Sequence, residues 1–184
     1  MRPILFTIAS LFLISSFAFS QISVTVEGTT QGKFKSETNR TGKDKIDLIG
    51  YTQEMAAPRD IATGQMSGKR QYQPLTIIKS VGASSPQFFQ ALLTNEVLKK
   101  VVIELTKANA DGAEYVYYTI TLEDVTVANY KQYSATSASD DISATKHSGT
   151  MSNAVYDEIK LSFRKITVES KDGKTIAGDG AKIN

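Results

Sequence analysis

The feature that most restricts what this chain can become is the run from Tyr72 to Tyr130, where the hydrophobic period changes along the chain. Thr76 to Lys79 is rich in β-formers and ends at Gly82. Ser84 or Ser85 then stands where a helix cap is wanted, and Pro86 takes the first helical position, where its missing N–H costs nothing. Phe88, Phe89, Leu92 and Leu93 fall at helical spacing, which predicts a short helix from Pro86 to Leu93 with one apolar face. After it, Val101, Ile103 and Leu105 alternate with Lys100, Glu104 and Thr106, the period of a half-buried strand. Asn109-Ala110-Asp111-Gly112 supplies turn chemistry, and a second alternation follows. Val116, Tyr118, Ile120 and Leu122 take one face, Tyr115, Tyr117, Thr119 and Thr121 the other.

The flanking segments add strands. Ile22, Val24 and Val26 alternate with polar residues, and Ile46 to Gln53 reads as a second strand. Past Leu122 the apolar phase slips to Val125 and Val127, so Glu123-Asp124 marks a bulge or bend. Val155 to Ser170 carries Ile159, Leu161 and Phe163 on one face, then slips at Arg164-Lys165 to Ile166 and Val168. Asp172-Gly173 signals a turn, Lys174 to Ile176 a short last strand, and Gly178 to Asn184 a frayed tail. The expectation is an all-β fold, barrel-like or two tightly packed sheets, with one short helix at its side. Its expected core holds Val101, Ile103, Leu105, Val116, Ile120, Leu122, Leu161 and Phe163.

Met1-Arg2-Pro3 precedes an apolar run, Ile4 to Phe19, that ends in Ala18-Phe19-Ser20. This is the layout of a secretory signal peptide, residues 1–20, with cleavage between Ser20 and Gln21. The run is interrupted by serines and falls short of the ~20 apolar residues a membrane span needs, so no membrane association is expected after cleavage. Residues 21–184 then form one domain, large enough to bury a core. There is no cysteine, so packing and β-sheet hydrogen bonds hold it together. With 21 Lys and Arg against 19 Asp and Glu, and Arg2 lost with the leader, no basic footprint for nucleic acid is expected.

Few residues point to chemistry. Gly28 to Lys33 has some likeness to a phosphate loop but is one residue short, lacks the hydroxyl residue after Lys33 and opens no helix. Asn39-Arg40-Thr41 is formally a glycosylation sequon. Ser67 sits one place off a nucleophile elbow. Glu123 and Asp124 are strand neighbours that point apart, and Asp140-Asp141 falls in a Ser-rich, solvated loop at about 134–151. That loop also carries the one histidine, His147, with no metal-ligating partner beside it. The expectation is a non-enzymatic protein with no cofactor and no metal. Glu54 to Lys69 holds Pro58, glycines and small residues without clear periodicity, and it is too long for a hairpin turn. Loops of this length are uncommon in compact domains unless they do something, and the residues alone leave a contact role and a mobile surface loop both open.

"PLTIIKSVGASSPQFFQAL", "VVIELTKA", "YYTITLEDVTVANY" and "IKLSFRKITVE" resemble the haemolysin-coregulated protein (Hcp) family, the tube protein of type VI secretion, from about Ile22 to about Ser170. The resemblance implies a ring-forming structural subunit. In that family the subunit is a hexamer that stacks into a tube and can carry small secreted effector proteins in its lumen. It also implies that the long loop reaches a neighbouring ring, which makes Met55, Pro58, Arg59, Ile61 and Gln65 contact candidates. Tyr115 and Tyr117 join them as aromatic residues on an outer face. The leader departs from the family, whose subunits assemble in the cytoplasm. The combined expectation is an Hcp-like protein, secreted or periplasmic, that folds and oligomerises outside the cytoplasm. The alternative is an exported binding module that kept the fold and lost the tube.

Overall fold

A computed structural model describes residues 21–36, 44–109, 111–134 and 154–179. In chain order the elements are β1 (Gln21–Gly28), β2 (Ile46–Leu48), β3 (Gly50–Thr52), β4 (Met55–Ala56), β5 (Gln71–Tyr72), β6 (Leu75–Ser80), α1 (Ser85–Leu93), β7 (Leu98–Ala108), β8 (Glu114–Ser134), β9 (Val155–Ser162), β10 (Lys165–Ser170) and β11 (Thr175–Asp179). All main-sheet pairings are antiparallel.

The long strand β8 builds the fold because it belongs to two sheets. Its first part, to Val125, pairs with β7, and residues Tyr118 to Glu123 also pair with β10. From Thr126 onward it pairs with β9 instead. The change falls at Asp124, which adopts a positive φ of 52°, a conformation uncommon outside glycine. The expected bend at Glu123-Asp124 is therefore the point where the strand passes from one sheet to the other. The slip at Arg164-Lys165 does the same for its partner, separating β9 from β10. The hydrogen-bonded ladder is open, running β2-β1-β7-β8-β9-β6-β3, with β11 outside β10. Its two end strands are consecutive in the chain, joined at Ile49, whose N–H donates to the Ile78 carbonyl at 2.8 Å.

Val24, Val26, Ile77, Ile103, Ile120, Leu122 and Leu161 are among the side chains buried between these layers. Most of the expected core is in place, but Val116 is only half-buried and lies outside it. A register shift between Leu105 and Thr106 precedes the Thr106–Val116 pair, so the alternation read straight through Val116 does not hold there. Phe34, between β1 and β2, is fully buried and packs edge-on against Phe88 with ring centroids 5.0 Å apart. The helix also sits differently from its expected apolar face. Phe88 and Ala91 are buried, whereas Phe89 is 47% and Leu93 65% exposed. Ser84 occupies the N-cap position but makes no side-chain cap hydrogen bond; its carbonyl receives the Gln87 and Phe88 N–H groups. Among the described residues no helix is long and apolar enough to cross a membrane.

Candidate functional site

The segment expected to be an irregular loop is an antiparallel arm. Met55 pairs with Tyr72 and Ala56 with Gln71, and Arg59 bridges Met66 nearer the tip. Alternation failed to reveal it because neither side of the arm is buried, so no face selects apolar residues. At the tip, Asp60 Oδ1 accepts the N–H groups of Ala62 (2.9 Å) and Thr63 (2.8 Å) and the Thr63 hydroxyl (3.0 Å). Those bonds, led by the Thr63 N–H, hold its carboxyl below the usual range. The Gly64 N–H returns to the Asp60 carbonyl at 2.8 Å, and Gly64 takes a φ of 68°, which glycine adopts without strain. Arg59 closes the turn onto the Gly64 carbonyl at 3.2 Å.

The arm is tied down at its base. The Tyr72 hydroxyl donates to Asp179 at the end of β11, and the Tyr72 ring packs edge-on against Phe163. Arg70 lies 3.6 Å from the same carboxylate. Beyond that anchor, Met55, Arg59, Ile61 and Gln65 are all exposed, Ile61 completely, and Pro58 is half-buried. Met66, not singled out from sequence, is exposed beside them.

Tyr115 and Tyr117 form a separate patch. Both rings flank Lys107, whose Nζ lies 5.6 and 4.8 Å from their centroids. Lys107 also meets Asp172 at 2.6 Å, which raises the lysine pKa and lowers the carboxylate's. The Lys171 N–H donates to the Tyr117 carbonyl, so this patch lies by the β10–β11 turn. Asp179, which anchors the arm, is at the opposite, open end of that hairpin. The fold therefore does not merge the two sets of contact candidates.

The remaining candidates resolve into structural roles. Glu123 pairs with Lys165 at 2.9 Å, and Asp124 with Arg164 at 3.7 Å. Ser67 donates its N–H to the Pro58 carbonyl within the arm. The backbone of the loop likened to a phosphate site does hold an anion, but an internal one. Glu96 accepts the Thr30 and Gln31 N–H groups at 2.6 and 2.9 Å and the Gln31 amide at 2.8 Å. A helix C-terminal turn with Asn95 at positive φ and the Glu96 N–H on the Ala91 carbonyl delivers that carboxylate. Gly28 is needed below it, since a Cβ there would stand 2.5 Å from the Glu96 Oε1. Ser20, the Asn39-Arg40-Thr41 sequon, Asp140-Asp141 and His147 lie outside the described residues, as does most of the Ser-rich loop. Gln21 opens β1 and donates from its amide to Asp47.

Sequence reading missed a buried polar cluster. Lys79 and Asp157 are fully buried and face each other across β6 and β9, Nζ to Oδ2 3.3 Å. Lys79 also donates to the Ser80 carbonyl (2.7 Å) and Ser85 Oγ (3.0 Å), and the Ser85 hydroxyl donates to Asp157. Tyr130 OH and the Gln132 amide bond the other carboxylate oxygen at 2.8 and 3.1 Å. Burial alone would raise the Asp157 pKa, but the Ser85, Tyr130 and Gln132 hydrogen bonds and the Lys79 charge outweigh it and lower it. Burial, with the Asp157 bond, pushes the Tyr130 hydroxyl up to about 12. A serine beside a lysine can be a nucleophile and its base. Here the serine proton goes to a carboxylate and both residues are buried, so the cluster fastens the start of α1 to the sheet. The signal was present in the strand period, since Lys79 shares a phase with Leu75 and Ile77, and Asp157 with Ile159 and Leu161.

The family model described as the type VI secretion system effector Hcp matches residues 17–169. The Major exported protein of Pseudomonas aeruginosa is 30% identical over 156 residues, spanning 82% of this chain and 86% of that protein. A crystal structure of an Hcp protein matches with a TM-score of 0.72 at 21% identity, covering 86% of this chain and 98% of the other. Hcp1 of an enteroaggregative Escherichia coli pathovar gives 0.70 at 22% identity, covering 86% and 97%. The secreted protein Hcp3 of Pseudomonas aeruginosa gives 0.65 at 21%, covering 88% and 97%. At these identities the solved structures show a shared fold.

Proposed function

This chain belongs to the Hcp family of type VI secretion, and from that premise we propose that it is a non-enzymatic, ring-forming subunit whose arm makes the contact between subunits or rings. The observation that carries the reading is the arm itself. Its turn is internally hydrogen-bonded, its base is anchored, and Met55, Ile61 and Met66 are left in solvent. A preformed element loses little conformational entropy on docking, and beyond Tyr72 at its base this one is mostly exposed to solvent. One head-to-tail interface repeated about an axis closes into a ring when the rotation fits, and by family likeness the ring is a hexamer that stacks and holds small secreted proteins in its lumen. Light scattering on the purified protein at micromolar concentration tests this: a discrete closed oligomer is expected, and a monomer throughout would overturn it.

The leader favours a second reading, an exported Hcp-like module that does not serve as a driven tube. Residues 1–20 have the charge, apolar run and small residues of a cleavable signal. The leader supports a protein that works outside the cytoplasm. Fractionation with N-terminal sequencing decides that point. A mature start at Gln21 in the periplasm or medium is expected, and intact Met1 in the cytoplasm would restore a plain tube subunit.

A further inference from the structure

The fold sorts its sulfur. The chain has no cysteine and four methionines, so thioethers are its only sulfur. Among the described residues the buried apolar core is made of valine, isoleucine, leucine, phenylalanine and alanine, without methionine. Both methionines among the described residues are on the arm, Met55 at 55% and Met66 at 52% exposure. Met1 and Met151 lie outside those residues.

From this distribution we infer that Met55 and Met66 are modification sites, where a hydroperoxide oxidises the arm to its sulfoxide form and thereby blocks docking. The effect on docking rests on the contact role proposed above. In each step a thioether lone pair attacks the peroxide O–O bond. An S–O bond forms as the O–O bond breaks, and the departing oxygen leaves, after proton transfer, as water from hydrogen peroxide or as the alcohol from an organic hydroperoxide. Sulfur is oxidised by two electrons and the peroxide reduced by two. The product is polar where the thioether was apolar, and methionine sulfoxide reductases reverse it. The Asp60 turn and the Tyr72–Asp179 anchor contain no sulfur, so the arm keeps its shape while its contact surface changes character.

The test is a titration of the purified protein with hydrogen peroxide, read by peptide mass mapping, circular dichroism and light scattering. The oxidation is done at a dilution below the assembly range, where the arm is free, and the protein is then reconcentrated; one oxygen is expected on Met55 and one on Met66, with the dichroism unchanged. Assembly is expected to weaken about tenfold or more, as burying an unpaired polar group at a contact does. The M55L/M66L variant is the control: with no thioether left on the arm, whatever assembly it keeps is expected to be the same before and after peroxide. Unmodified Met55 and Met66 under conditions that oxidise free methionine would overturn the site. Equal assembly of oxidised and untreated protein, or peroxide-sensitive assembly of M55L/M66L, would overturn its effect on docking. If the untreated protein is monomeric, the ring reading and the docking effect fall together, while the mass map still decides the site.

Discussion

Asp60 gathers three donors and Asp157 four, counting Lys79, yet they do so at opposite extremes of the molecule. Asp60 takes its partners from its own turn, in full solvent, and shapes an arm anchored at its base by Tyr72 and Arg70. Asp157 takes its partners from α1, β6 and β8, and its loss would strand a lysine with no access to water. The difference teaches that partner count says little about stability. What matters is whether the group can return to water when a partner is removed.

The sharpest way to break the comparison is Asp157→Ala. It leaves Lys79 charged and buried, and a loss of about 3–5 kcal/mol in unfolding free energy is expected from denaturant melts. Replacing the pair together, Lys79→Met with Asp157→Leu, is expected to recover most of that loss. If the double variant is as unstable as the single one, the cluster is more than a satisfied charge pair. Apolar truncations set the scale beside it: Leu161→Ala and Ile103→Ala are each expected to cost about 2–5 kcal/mol. An unchanged thermal midpoint in both would contradict the strand phases.

Glu96→Ala probes an intermediate case, a nearly buried carboxylate held by backbone amides. Leaving those N–H groups unpaired is expected to cost about 1–3 kcal/mol, with the region around Gly28 to Lys33 losing hydrogen-exchange protection first.

The pH limbs distinguish the buried cluster from the arm more finely. Asp157 is held below its ordinary value of 3.8, so its contribution is present above that pH and is lost as pH falls through the lowered value. Tyr130 has the opposite sign. Its pKa rises from 10.0 to about 12, so in that window the unfolded chain releases a proton that the folded one keeps. Stability therefore declines as pH rises from 10.0 to about 12, and Tyr130→Phe is expected to flatten that limb of a melting-temperature profile. An identical alkaline limb in the variant would remove Tyr130 from the account.

The smallest effect on stability is expected at the arm. Replacing residues 56–65 by a short Gly-Ser linker should leave unfolding free energy within about 0.5 kcal/mol and the circular dichroism unchanged, while assembly is lost. An unfolded product would make the arm part of the core, and undiminished assembly would move the contact elsewhere, with the Lys107–Tyr115–Tyr117 patch the next surface to alter.

Local order decided much of this protein. Alternation in Val101 to Leu105 and Ile120 to Leu122, Pro86 at the start of the helix, and the phase slips at Glu123-Asp124 and Arg164-Lys165 are consequences of steric periods and backbone preferences, which neighbouring residues carry among themselves. Those features were legible in the chain, and with them the class of fold. Tertiary structure alone decided which face of α1 was buried, because Phe34 arrives from a distant loop to cover Phe88 and leaves Phe89 and Leu93 outside. It also decided that Lys79 and Asp157 could sit in the core. A charge on an apolar phase reads as an interruption until its partner on another strand is known. The arm follows the same reasoning from the other side: with little core to face, its strands carry no period, and backbone pairing such as Met55 with Tyr72 and Arg59 with Met66, together with the Asp60 turn, gives it form.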